Sequence, residues 1–228
     1  MQGSLVLSLL AVLLAAANGQ DSCSCKNPPA KCSPSVNQCA VNFRDGACMF
    51  TLETVSSGGR DNETVYATCV ENFATCRTGP ISLTVGTDKQ VRTNSMCCQS
   101  NLCNQNITMA VPPKSSLKNG LQCEACNDSN ADQCKNRVNV SCMGSQDRCI
   151  DFAGTPVSST TTPLILKGCA TQSACELKVN GNFHYSKQTY TLTKADCVPA
   201  TSKGSNAAIH ALAFFPTLAG LLLVKQLS

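Results

Sequence analysis

Tryptophan is absent, and only 4% of the 228 residues are aromatic. Apart from Phe214 and Phe215 near the end of the chain, five Phe and three Tyr remain. That inventory is too poor to hold a chain of this length together by side-chain packing alone, so another device must do so. Charge is scarce as well, at 14% of residues with a formal net charge of +4. Up to Pro113 seven basic residues balance seven acidic ones, and from Lys114 to Lys203 ten stand against seven. So small a surplus argues against nucleic-acid binding. Histidine occurs only at His184 and His210. A Ser/His or Cys/His catalytic pair would have to use His184, which sits between Phe183 and Tyr185 on a strand-like run and reads as structural. The chain is therefore read as non-enzymatic, with no catalytic residue, no cofactor and no metal.

Neither apolar run is long enough to span a bilayer, which takes about 20 residues as a helix. The first, Leu5 to Ala17, is apolar but for Ser8 and closes on Ala15, Ala16, Ala17, Asn18 and Gly19. That is the shape of a secretory signal peptide over residues 1–19, although no Lys or Arg precedes it. The second, Ala211 to Val224, is interrupted by Pro216 and Thr217 and followed by only four residues. Small residues lie just upstream of it. Together they predict a glycosylphosphatidylinositol (GPI) attachment signal over residues 202–228, with Ser202, Gly204, Ser205 and Asn206 as candidate attachment points. The spacer is short for a site beyond Ser202, and Lys225 interrupts the last residues.

What the chain has in abundance is cysteine: 18 residues, all between Cys23 and Cys197. An even count at this density behind a signal peptide predicts a disulfide framework. Cys123-x2-Cys126 looks like half a zinc site, but the second half and the histidines are missing. The gaps between cysteines carry an internal repeat. In the first half they run 1, 6, 6, 8, 20, 6, 20, 0 and 4 residues, and in the second 2, 7, 7, 6, 19, 5 and 21. Seven successive intervals agree within two residues, so one module occurs twice. The boundaries are 20–104 for the first copy, with ten cysteines, and 121–201 for the second, with eight. Between them 105–120, with Pro112, Pro113, Ser115, Ser116, Asn119 and Gly120, reads as an exposed linker.

The long gaps have strand character. Ala47 to Val55 and Thr64 to Val70 flank a Gly58-Gly59 turn, and Ile81 to Val85 and Val91 to Met96 suggest a second hairpin. In the second copy the matching hairpins are Arg148 to Cys169, with a Ser/Thr/Pro-rich tip from Thr155 to Pro163, and Leu177 to Cys197, turning at Asn180-Gly181-Asn182. Thr160 to Thr162 read as a flexible tip rather than an O-glycan site. No segment shows helical periodicity. The fold class is all-β, small and disulfide-rich.

Hairpins radiating from a cysteine cluster, closed by Cys97-Cys98-Gln99-Ser100-Asn101-Leu102-Cys103-Asn104, resemble the three-finger domain of the urokinase-receptor and lymphocyte-antigen-six family. The resemblance implies two tandem three-finger, snake-toxin-like domains. It also implies a pairing: Cys23 with Cys48, Cys25 with Cys32, Cys39 with Cys69, Cys76 with Cys97 and Cys98 with Cys103. In the second copy it implies Cys123 with Cys149, Cys126 with Cys134, Cys142 with Cys169 and Cys175 with Cys197. That copy lacks both partners of one bridge, since Val198, Lys203 and Gly204 stand where Cys, Cys and Asn belong. Chains with this gap resemble phospholipase-A-two inhibitor gamma subunits, the sodefrin-precursor-like factors of amphibians, and some GPI-anchored relatives of the urokinase receptor. Asn119 to Cys126, Val140 to Cys149 and Lys167-Gly168-Cys169 look most like the first two groups.

The resemblance implies a binding protein whose ligand the scaffold does not specify. Rigid fingers on a stapled hub limit the ordering cost of association, so hairpin faces and tips are expected to contact an extracellular protein partner. The chain would sit on the outer face of the plasma membrane, attached by lipid alone. The alternative is a soluble phospholipase inhibitor or pheromone-like factor. Against an enzyme of the secreted phospholipase kind, the sequence has neither a glycine-rich calcium loop nor a His-Asp pair. Four N-x-[ST] sequons, at Asn62, Asn106, Asn127 and Asn139, predict surface positions for glycans.

Overall fold

Alternating apolar and β-branched residues build thirteen strands among the described residues of the computed structural model, which are 21–27, 32–128, 134, 137–157, 162–186 and 188–202. The first copy holds β1 (Ser22–Ser24), β2 (Gln38–Ala40), β3 (Ala47–Ser57), β4 (Arg60–Val70), β5 (Gly79–Thr84) and β6 (Gln90–Cys98). The second holds β7 (Lys118–Asp128), β8 (Val138–Met143), β9 (Arg148–Pro156), β10 (Leu164–Ala170), β11 (Asn182–Tyr185), β12 (Gln188–Pro199) and β13 (Thr201–Ser202). The helices among the described residues are two short 3-10 turns, Phe73–Thr75 and Gln172–Glu176. Each copy is thus an all-β three-finger unit, its fingers being the hairpins β1–β2, β3–β4 and β5–β6, then β7–β8, β9–β10 and β11–β12.

Turn chemistry places the second finger. Ser57 pairs with Arg60, so two residues close the β3–β4 hairpin. Gly58 and Gly59 both have positive φ, 55° and 77°, as the tight turn matching the twist of two antiparallel strands requires. The third finger of the second copy departs from expectation. Asn180, at φ 67°, and Gly181 lie before β11, where they bond Leu192, and the β11–β12 hairpin turns after Tyr185 at Ser186. An Asn-Gly pair marks a reversal of the chain without saying which strands it joins.

The two copies share one sheet. Its path runs β11-β12-β9-β10-β5-β6-β3-β4, with β7, β8 and β13 branching from β10. The joint is β10 against β5, where Cys169 pairs with Thr84 and Ala170 with Leu83. Gly168 makes that approach possible, because a Cβ there would lie 2.1 Å from the Thr84 carbonyl oxygen. The largest apolar cluster is shared across the same joint: Ile81, Leu83, Val85 and Val91 pack with Phe152, Leu166, Phe183 and Leu192.

Residues 105–117, the first part of the segment read as an exposed linker, run along the first unit. Ile107, Met109 and Val111 pack against Phe50, Leu52 and Ala67. Asn94 Nδ2 donates to the Ala110 carbonyl (2.8 Å), and Arg92 Nη1 to that of Pro112 (3.2 Å). The alternation Ile107-x-Met109-x-Val111 is the cause: an extended segment with every second residue apolar lies along a sheet face.

Candidate functional site

The hub is built from sulfur. In the first copy the structure brings together Cys23 and Cys48, Cys25 and Cys32, Cys39 and Cys69, Cys76 and Cys97, and Cys98 and Cys103, with Cα separations of 5.2 to 6.3 Å. In the second it joins Cys123 to Cys149, Cys126 to Cys134, Cys142 to Cys169 and Cys175 to Cys197. Sulfur atoms of Cys25, Cys32 and Cys39, and of Cys123, Cys142 and Cys169, crowd within metal-ligand range, but every one is already bonded to another sulfur. No thiolate is left there to hold a cation. Asn104, the residue closing the first copy's terminal motif, has no role that the sequence reveals. Buried to 1% exposure, its Nδ2 donates to the carbonyls of Ser24 (2.8 Å) and Met49 (2.9 Å), while its Oδ1 accepts from Ser24 N (2.8 Å). It ties the first finger to the second. The second copy, without that Asn, closes through β13, whose Thr201 and Ser202 pair with Gln122 and Leu121 of β7.

Between the copies the sheet leaves a groove. One cavity of about 310 Å³ has Thr68 and Val70 of β4 on one wall and Asn182, Thr189 and Thr191 of β11 and β12 on the other. A second, also of about 310 Å³, continues it past Thr75 to Arg77, Glu176, Leu177 and Val179. Two of its lining side chains are exposed apolar ones: Val157 is 41% exposed and Val179 51%. The joint beside the groove is cross-bonded. Arg77 Nε donates across the joint to the Ser173 carbonyl (3.1 Å), Ser173 Oγ to the Pro80 carbonyl (2.6 Å) and Thr84 Oγ1 to Gln146 Oε1 (2.8 Å).

Deeper in the joint lies a polar cluster. Glu53 on β3, 1% exposed, accepts from Tyr66 Oη (3.2 Å) and from Ser186 N (3.1 Å). The Tyr66 ring stacks on His184 of β11, with centroids 4.9 Å apart. His184 Nδ1 shares a hydrogen bond with Thr189 Oγ1 (2.9 Å), and its Nε2 has no partner. Burial drives the imidazole pKa down to about 4. Lys89 Nζ lies 5.2 Å over the Tyr185 ring, its pKa lowered by burial despite Glu53 and Asp88. A buried imidazole, stacked on Tyr66 and bonded to the Thr189 hydroxyl, is a packing residue of the joint.

The outer face of the second copy carries an ion-pair ladder across the strands. Glu124 meets Arg137 (3.1 Å) and Lys167 (3.9 Å), and Asp151 meets Lys167 (2.8 Å) and Lys194 (2.6 Å). Burial raises the Asp151 carboxyl, but the two lysines more than offset it and its pKa is lowered. Alternating charges of this kind are a solvated surface and add little stability. Among the sequons, Asn62 on β4, Asn106 after the hub and Asn139 on β8 are exposed; the side chain of Asn127 lies outside the described residues. Ser202 is held in β13, whereas Gly204, Ser205 and Asn206, like Thr160, Thr161 and the leader 1–19, lie outside the described residues. No helix among the described residues is long and apolar enough to cross a membrane.

Two stapled three-finger units sharing one sheet, with a groove at their joint, define a tandem three-finger scaffold. The profile of the u-PAR/Ly-6 domain matches twice, over residues 21–106 and 119–203. The chain belongs to the u-PAR/Ly-6 family and is a small binding protein of it. Among its relatives, Protein RoBo-1 of Rattus norvegicus is 35% identical over 103 residues, 45% of this chain and 42% of that protein. A phospholipase A2 inhibitor of the gamma type from Gloydius brevicaudus siniticus is 24% identical over 177 residues, 78% of this chain and 86% of that protein. Phospholipase A2 inhibitor NAI of Notechis ater is 30% identical over 45% of this chain and 51% of its own length. The crystal structure of mouse TEX101 aligns over 81% of this chain and 97% of its own, at 18% identity and a TM-score of 0.35, too low to bear on the arrangement.

Proposed function

We propose that this is an extracellular, GPI-anchored binding protein that takes a protein partner into the groove between its two three-finger units. The observation that carries the reading is the exposed apolar pair Val157 and Val179, which lines the two halves of the groove between the units. Large exposed apolar side chains gathered at one concavity mark an interaction site. A preformed groove also binds with a smaller ordering cost than loose fingers would. The test is cross-linking mass spectrometry on the full secreted chain with whatever partner it captures at the cell surface. Cross-links converging on the groove, and binding lost at least tenfold in V157E/V179E, support the site; full binding by that variant overturns it. Lipid attachment is supported by the small residues before the apolar tail. Shedding by a GPI-specific phospholipase, with an ethanolamine-linked C-terminus near Ser202 to Asn206, is the expected outcome.

The second reading, a soluble inhibitor of secreted phospholipase A2, is favoured by the relatives that carry that name. It predicts direct binding of the purified chain to an immobilised secreted phospholipase A2 and a simple trimmed C-terminus. A pheromone-like factor of the same fold would share the trimmed end and lack the phospholipase binding.

A further inference from the structure

The joint that forms the groove contains a group whose charging it cannot accommodate. His184 is 5% exposed, between the Tyr66 ring of one unit and Thr189 of the other. None of the charged groups around it is hydrogen-bonded to its ring: Nδ1 meets the Thr189 hydroxyl and Nε2 has no partner. Arg77 lines the small void beside it, together with Thr51, Thr93 and Ser95, and is itself a cation. Glu53 is engaged by Tyr66 Oη and Ser186 N. Lys89 stands over Tyr185 and faces Glu53, as Tyr190 does; Asp88 acts on Lys89. Lys187, next along the turn, lies outside the described residues. A proton on Nε2 would therefore place a buried N–H without an acceptor, on a positive ring whose hydrogen-bond partner is a neutral hydroxyl.

We propose that the joint is an acid-opened latch: protonation of His184 drives the β11–β12 hairpin off Tyr66 and Glu53 and so withdraws one wall of the groove. Asn182, Thr189 and Thr191, which line that wall, lie on the same hairpin as His184. A partner held between β4 and β11 is released when the hairpin leaves, so the regulatory consequence rests on the groove reading while the latch itself does not. The sign follows from linkage. His184 has a pKa of about 4 in the closed joint against 6.5 when freed to water. Below 6.5 the open form takes up the proton first, so closure weakens as pH falls from 6.5 towards 4 and is unaffected above that window. At pH 5 those two values shift the equilibrium about 30-fold towards the open form.

Amide hydrogen exchange on the full secreted chain without any partner tests this, read as protection after correction for the intrinsic pH dependence. Amides of β11 and of the tip of β12 are expected to lose protection about 20-fold between pH 7 and pH 5, while the β9–β10 amides keep theirs. In H184F, which preserves a ring against Tyr66, β11 protection is expected to be the same at both pH values. Unchanged protection in the native chain, or an equal loss in H184F, overturns the latch. Should H184F fail to fold, the imidazole Cε1 proton of His184 is followed by NMR in the native chain. A midpoint near 4 with opening supports the proposal, and a midpoint near 6.5 with protection intact overturns it. Because no partner is present, failure here leaves the groove untouched, and the V157E/V179E result leaves the latch untouched.

Discussion

Single residues set the close approaches on which this molecule depends. At Gly168 the missing Cβ lets β10 come up to the Thr84 carbonyl of the other unit. Gly168→Ala is expected to force the strands apart and cost about 1–3 kcal/mol, the range of an overpacked site. Gly86→Ala, whose new Cβ would meet nothing nearer than Lys89 Cβ at 3.5 Å, should leave the melting temperature unchanged and serves as the control. Asn104→Ala would strand the buried carbonyls of Ser24 and Met49. At about 1–3 kcal/mol for each buried group left unsatisfied, thermal unfolding of the first unit should show a loss of several kcal/mol. Asn104 is visible in the sequence as part of a terminal motif. Its task is not, because the groups it satisfies lie far away along the chain and meet only when the fingers converge.

At the scale of the element, bridges and hairpin turns do the organising. In the chain-entropy picture a bridge contributes more the longer the loop it closes. Cys98–Cys103, with a separation of 5, should therefore matter less than Cys39–Cys69, with a separation of 30. The double variant C98S/C103S is expected to lose about 2 kcal/mol and to fold, whereas C39S/C69S loses about 4 kcal/mol, both read from denaturant melts. The second unit already does without the short bridge and closes on β13 instead. The β3–β4 finger is legible from its Gly58-Gly59 turn because the two-residue connection demands positive φ at both positions. The turn of the last finger is not, since an Asn-Gly reversal before a strand resembles one between strands. The segment after Asn106 reads only as an exposed linker, and its path along the first unit is not legible although Ile107, Met109 and Val111 alternate. Three residues in alternation acquire meaning only when a sheet face stands beside them.

For the molecule as a whole, the decisive feature is that the two units are not independent beads. Residues of both contribute to one apolar cluster, and Phe152, Leu166, Phe183 and Leu192 of the second unit would lose part of their cover if the first were removed. Residues 119–203 expressed alone are expected to bind a hydrophobic dye and to self-associate, as shown by ANS fluorescence and sedimentation; a monomeric, dye-silent fragment would contradict the shared core. The duplication, the all-β class and the reliance on sulfur were settled by the sequence, because cysteine spacing and strand periodicity are local, countable properties. The groove, the β10–β5 joint and the burial of His184 were decided by tertiary structure alone. They depend on how one module's edge strand docks against the other's, and that docking is set by shape and by the room left at Gly168, neither of which is written in any single stretch of chain.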